Sequence, residues 1–325
     1  MPLDPEMSAV VQVLANGPLP IITTLPVDEA LGRLRVPPPA PASAGTDELA
    51  VEDIVIPTRG SSIPGRLYRP VGAARPPLLV HLHGGGWVTG SIAGDDARCR
   101  TLAVMANCAI LSVGYRLAPE HRFPKGLEDC YDATAWAVAQ AGHLGVDATR
   151  VGVGGTSAGA NLAAGVALLA RDRAEIRIAF QLLAYPICDG KMALPSYDTF
   201  SDGYILTRDA MKWYWGLYLS SETDRSNGYA SPLDAVDLRG LPPALILTAE
   251  FDPLRDEGEA YGARLRDAGV QVEVIRYPGV IHGFMSFAPQ LAQSRMAMAT
   301  SAEALKTFGL TGVSDPTRGR ALPGG

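Results

Sequence analysis

The chain reads as an α/β protein, with a mostly parallel central sheet of about eight strands, helices on both faces and a helical cap. Three observations predict this. Apolar runs at 78–83, 108–114 and 151–154 lack polar alternation, the pattern of strands covered on both sides. Strand-like and helix-like segments alternate over roughly 230 residues, the order a βαβ sheet requires. At 325 residues the chain is long enough to bury a large core and carry an accessory part.

Scattered apolar residues at 7–15 and 27–35 have helical spacing. The prolines of 37–41 break that pattern, and 42–45 continue as linker. Alternation at 51–57 and 65–70 predicts two strands, a hairpin at a sheet edge. Covered strands follow at 78–83 and 108–114, then a helix over 126–141 and a strand at 151–154. A helix over 158–171 is rich in Ala and Leu and free of Pro. Strands at 176–184, 244–249 and 272–277, a helix over 255–268 and a last helix over 289–307 complete the series. From 189 to about 241 there is no strand signal, only loop and an aromatic helix over 207–220 containing Trp213, Tyr214, Trp215 and Tyr218. So long an interruption inside an α/β domain reads as a lid or cap, with which the N-terminal helices are expected to pack. Its aromatics either line a substrate pocket or form the cap's own core. The tail from 311 is rich in Gly and Pro.

A net charge of −6, with 47% hydrophobic and 19% charged residues, fits a globular protein without a basic face for nucleic acid. No apolar run reaches membrane-spanning length, and the first residues lack the basic-then-apolar pattern of a signal peptide. The four cysteines have no C-x-x-C spacing, so reduced thiols and a cytoplasmic location are expected.

The chemistry is written in four places. Gly155-Thr156-Ser157-Ala158-Gly159 sits between a covered strand and a helix, the context that makes G-x-S-x-G a nucleophile elbow. Ser157 there needs a base. Of five histidines, His282 lies in a glycine-flanked loop after the last strand, at the sheet end where open α/β folds place their sites. His143, at a helix end, only suits the dipole. The base needs an acid: Asp252 follows the strand 244–249 and outranks Glu250 and the helix-start Asp256. Acyl transfer also needs donors for an oxyanion, and His83-Gly84-Gly85-Gly86 supplies the backbone N–H groups of Gly84 and Gly85, with Ala158 beside the nucleophile as a third. No Lys or G-K-[ST] follows to make that loop a phosphate cradle. His81 and His83 lack a third ligand, so no metal is expected.

Taken together, His83-Gly-Gly-Gly-Trp87, Tyr115-Arg-Leu-Ala-Pro-Glu-His121 with Phe123-Pro124, Gly155-Thr-Ser-Ala-Gly159 with Asn161, Asp252-Pro-Leu-Arg-Asp-Glu257 and His282-Gly-Phe284 resemble the hormone-sensitive-lipase family of α/β-hydrolases, the bacterial family IV esterases, in a Gly-Thr-Ser-Ala-Gly form. The resemblance spans roughly residues 50–310. It implies the α/β-hydrolase fold and cofactor-free hydrolysis of short- to medium-chain acyl esters by Ser157, His282 and Asp252. It also implies a cap built from 1–48 and 189–238 over a catalytic domain of 49–188 and 239–325, and in many members a homodimer through the edge strand. Trp87, Trp213, Tyr185 and Phe284 are the expected substrate-binding residues. Thr156 replaces the commoner Asp, so the ionic wiring behind the elbow should differ. Two other readings stay open: a hydrolase-like receptor without activity, which should lack a working base, and a peptidase or long-chain lipase.

Overall fold

The computed structural model describes residues 2–15, 19–36, 47–287 and 290–311. The expected linker at 37–45, the start of the last helix at 289 and the tail from 312 lie outside these. The eight strands are β1 (Leu49–Thr58), β2 (Ser61–Pro70), β3 (Leu78–Leu82), β4 (Ala109–Val113), β5 (Val151–Thr156), β6 (Gln181–Ala184), β7 (Ala244–Phe251) and β8 (Val272–Ile281). They form one sheet in the order β1-β2-β4-β3-β5-β6-β7-β8. β2 runs antiparallel to both β1 and β4, and every other neighbouring pair is parallel.

The helices are α1 (Pro5–Ala15), α2 (Val27–Leu34), α3 (Asp96–Ala106), α4 (Lys125–Ala139), the short α5 (Ala141–Leu144), α6 (Ala158–Arg173), the short α7 (Ser196–Thr199), α8 (Arg208–Tyr218), α9 (Arg255–Asp267) and α10 (Ala292–Thr311). Two apolar cores, one on each sheet face, hold the layers together. One gathers Leu78, Val80 and Leu82 with α4 and α6; the other gathers Leu79, Ile110 and Leu245 with α3 and α10. Alternate residues of β3 thus serve opposite faces, as the two-residue pleat dictates. α6 is buried continuously from Ala158 to Ala170, which explains why its apolar residues run all round rather than along one stripe.

Three details depart from the pattern reading. β6 begins at Gln181 rather than 176: Ala179 and Phe180 still bond to β5, through Val151 O and Val153 N–H, but only Gln181–Ala184 pair in register with both β5 and β7. α3 gave no sequence signal: Asp96, Arg98, Arg100 and Thr101 interrupt its apolar face, and the bonds that Arg66 and Tyr68 of β2 make to the buried Asp96 form only in the folded chain. α1 lies against β8, with Asp4 N–H donating to Gly279 O at 2.9 Å, while the 3-10 turn at Leu19–Thr24 is the N-terminal piece that meets α8. No helix among the described residues is long and apolar enough to cross a membrane.

Candidate active site

Strand register delivers three side chains to one rim. β3 and β5 pair Leu82 with Gly155, so the glycine loop after β3 and the turn after β5 leave the sheet together. β7 and β8 pair Phe251 with Ile281 across a bulge, so the next residues, Asp252 and His282, emerge side by side.

At the turn, Ser157 adopts φ 55° and ψ −121°, a conformation that costs a non-glycine residue about 1–3 kcal/mol. The neighbours hold it there. Ser157 N–H donates to Ala184 O at 2.9 Å, and Asn161 N–H donates to Ser157 O at 3.0 Å. A Cβ at Gly159 would sit 1.9 Å from Leu82 O, so only glycine lets the helix start approach β3 this closely. Asn161 locks the helix from inside. Its amide nitrogen donates to Ile187 O and Ala230 O, and its oxygen accepts from Trp87 Nε1 at 3.1 Å.

Ser157 Oγ lies 2.9 Å from His282 Nε2, and His282 Nδ1 lies 2.8 Å from Asp252 Oδ2. Asp252 is fully buried and its other oxygen accepts from Leu254 N–H at 2.8 Å, which fixes the carboxylate plane. Glu250 instead accepts from Gly279 N–H, and Asp256 accepts from Ser196 N–H, so neither rival acid faces His282.

The glycine loop arches over this line. Gly85 sits at φ +117°, and a Cβ there would be 2.3 Å from Thr89 O. Among the described residues, no protein acceptor consumes the N–H groups of Gly84, Gly85 or Ala158. His83 stays beneath the loop, stacked on Tyr115, with Nδ1 2.8 Å from Gly84 O; Tyr115 Oη donates to His83 O. Burial holds its imidazole below the usual range, so it is neutral. His81 pairs with Asp95 at 2.6 Å, so the two histidines of the H-x-H pair have separate partners.

Beside the elbow lies a charged cluster that the sequence reading missed. Arg98 Nη1 donates to both Asp95 oxygens and to Thr156 Oγ1, each at 3.2 Å. Arg98 Nη2 donates to Ser286 Oγ at 2.9 Å. Burial alone would raise the Asp95 pKa, yet Arg98 and His81 hold its carboxyl well below the usual range. The neutral Thr156 is therefore wired to a cation whose counter-charge sits on α3's cap. An Asp and an Arg three residues apart, just after a glycine loop, were the available signal.

The cleft above Ser157 has a volume of about 390 Å³ and is lined by Leu34, the 83–86 loop, Ile187, Leu206, Met211, Tyr214 and His282. Of the four expected substrate-binding aromatics, Tyr185 faces it, edge-on to His282 with ring centroids 4.9 Å apart. Burial pushes the Tyr185 phenol up to about 12, so it stays protonated. The other three do not line the cleft. Trp87 is in the core, stacked on Tyr218 at 4.1 Å; Phe284 is fully buried against Tyr185 and Tyr277; and Trp213 packs edge-on against Tyr214. Aromatic type alone did not tell these from Tyr214, whose ring does reach the site over Gly86.

A family model described as the alpha/beta hydrolase fold matches residues 79–286. The chain is 37% identical over 287 residues to an arylesterase of Saccharolobus solfataricus, covering 88% of this chain and 93% of that protein. It is 36% identical over 320 residues to an ethyl acetate hydrolase of Pseudomonas putida, covering 94% and 99%. A solved hyperthermophilic esterase from Pyrobaculum calidifontis superposes with a TM-score of 0.83 at 40% identity, over 96% of this chain and 100% of that one. The chain belongs to the α/β-hydrolases, in the branch related to hormone-sensitive lipase.

Proposed function

We propose that this protein is a carboxylesterase that cleaves short- to medium-chain acyl esters through an acyl-enzyme on Ser157. The observation that carries this reading is the line from Ser157 Oγ through His282 to the buried Asp252, set under a glycine loop with unspent N–H groups. Ser157 Oγ attacks the ester carbonyl as its proton passes to His282 Nε2, and Asp252 stabilises the imidazolium through Nδ1–H. Gly84, Gly85 and Ala158 hold the tetrahedral oxyanion. His282 then protonates the leaving alcohol, the C–O bond breaks, and the ester carbonyl stays on Ser157. Water, deprotonated by His282, repeats the attack, releases the acid and restores Ser157.

The helix α8 and the N-terminal segment serve as a cap, since Met211 and Tyr214 from one and Leu34 from the other close over the cleft. A cleft of about 390 Å³ suits a small ester better than a long lipid chain. The names of the relatives support ester hydrolysis over peptide hydrolysis. In a p-nitrophenyl butyrate assay, Ser157→Ala should lower kcat by about 10⁵–10⁶-fold while a fluorophosphonate probe stops labelling the protein. Labelling that persists in the variant, or a wild type inert to every ester offered, would sink this reading.

A further inference from the structure

A second cavity, of about 450 Å³, opens beside the cleft between α3 and α10. The linings of the two spaces share Gly94, Asp95, Arg98 and Ser286. Arg98 stands between them, flanked by Asp95 and Ser286. It reaches from α3 to Thr156, which faces only the catalytic cleft, and to Ser286, which faces both. Beyond it the second cavity is walled by Met105, Met285 and Met298 together with Ala97, Thr101 and Arg295, none of which lines the cleft. Methionine side chains are unbranched and polarisable and adapt to an alkyl chain.

We propose that Arg98 is a partition that sets the chain length this enzyme accepts, with the methionine-lined cavity behind it able to take a longer alkyl group once the guanidinium is removed. This rests on the esterase reading of the cleft. An alkyl chain offers no acceptor, so it cannot displace a guanidinium that Asp95, Thr156 and Ser286 hold. Moving Arg98 would also leave the Asp95 carboxylate buried and unpaired by its cation. The wall is therefore stiff toward apolar substrates. Size and charge together would end the cleft at Arg98.

The test removes both charges together, as Asp95→Asn with Arg98→Ala, because deleting one alone strands the other. The kcat/KM values are read on p-nitrophenyl acetate, butyrate, octanoate and dodecanoate for the acyl side. Alkyl acetates followed by pH-stat report on the alcohol side. In one of these series the octanoate-to-butyrate ratio, or its alkyl counterpart, should rise by on the order of 10²-fold, since each methylene entering an apolar cavity is worth about fourfold. Adding Met298→Trp to the same variant should refill the space and return the ratio to its original value. If the double variant does not fold, Arg98→Lys keeps a cation for Asp95 while shortening the wall, and should give the same shift in smaller size. A folded, active variant whose length preference matches the wild type in both series overturns the proposal, and a uniform loss of rate would make Arg98 only a clamp on Thr156 and Ser286. Neither result touches the assignment of Ser157, which the fluorophosphonate labelling tests separately.

Discussion

Ser157 illustrates how little of a site is the residue itself. Its hydroxyl is ordinary; its left-handed backbone, held by Ala184 O and by the close approach of Gly159 to β3, aims it at His282. Gly85 does the same for the amides. Gly85→Ala would put a Cβ 2.3 Å from the Thr89 carbonyl at a φ of +117°, so the loop must shift and carry its N–H groups with it. We expect kcat to fall by about 10²–10³-fold with KM little changed, the loss typical of one misplaced oxyanion donor. Steady-state kinetics on p-nitrophenyl butyrate, beside a melting curve to confirm folding, checks this; a kcat within twofold of wild type would remove Gly85 from the site. Thr156 shows the opposite case, where a neutral residue is tolerable because Arg98 and Asp95 bring the charges from another element.

At the scale of the element, α9 carries a buried acid in its first turn. Glu257 is fully buried, and its Oε1 accepts from Cys188 N–H at 2.7 Å on the chain leaving β6. Burial raises its pKa well above the ordinary glutamate value of 4.5, and neighbouring Asp189 adds to the rise. The sign follows from linkage. The folded state holds this proton more tightly than the unfolded chain, so the stabilisation is fully present below 4.5. It declines as pH rises above that value and is gone once pH passes the folded-state pKa. Glu257→Gln keeps the acceptor oxygen for Cys188 and removes the titration. Urea midpoints measured from mildly acidic to alkaline pH should fall steadily for the wild type and less steeply for the variant. Parallel profiles would show that Glu257 does not titrate in this way.

At the scale of the whole molecule, Arg35, just after α2, fastens the N-terminal segment to the site. Its Nε donates to Val88 O and its Nη2 to Ala118 O, and it forms a forked pair with Glu120. Val88 closes the glycine loop, so this clasp ties the N-terminal segment to Gly84 and Gly85, the proposed oxyanion donors; Thr89 Oγ1 donating to Leu34 O adds to it. Arg35→Ala leaves two carbonyls without their charged donor and should cost about 2 kcal/mol, seen as a lower melting temperature and faster amide exchange in 84–90. The bond to Arg35 also lowers the Glu120 pKa to about 2 from 4.5, so the clasp is complete above 4.5 and weakens as pH falls toward 2. Glu120 is half exposed, and solvent screening keeps that share small. An unchanged melting temperature in the variant would mean the N-terminal segment is held by its apolar contacts alone.

The pattern of residues along the chain was enough for the sheet, its strand count and the convergence of Ser157, Asp252 and His282, the proposed nucleophile, acid and base, because period, glycine placement and the ends of apolar runs are local properties. It was also enough to set Asp252 apart from Glu250 and Asp256, since position after a strand decides which way a residue emerges. It did not reveal α3, whose helical face is broken by charges: the pairs Asp95–Arg98 and Asp96–Arg100 are local, but the bonds from Asp96 to Arg66 and Tyr68 and from Arg98 to Thr156 and Ser286 form only across the fold. Nor could it separate Trp87, Trp213 and Phe284, which pack inward or aside, from Tyr185 and Tyr214, which reach the cleft. A ring buried in a core and a ring facing a substrate have the same composition and spacing. Which one meets solvent depends on what another part of the chain lays over it, and that is settled only when the layers close.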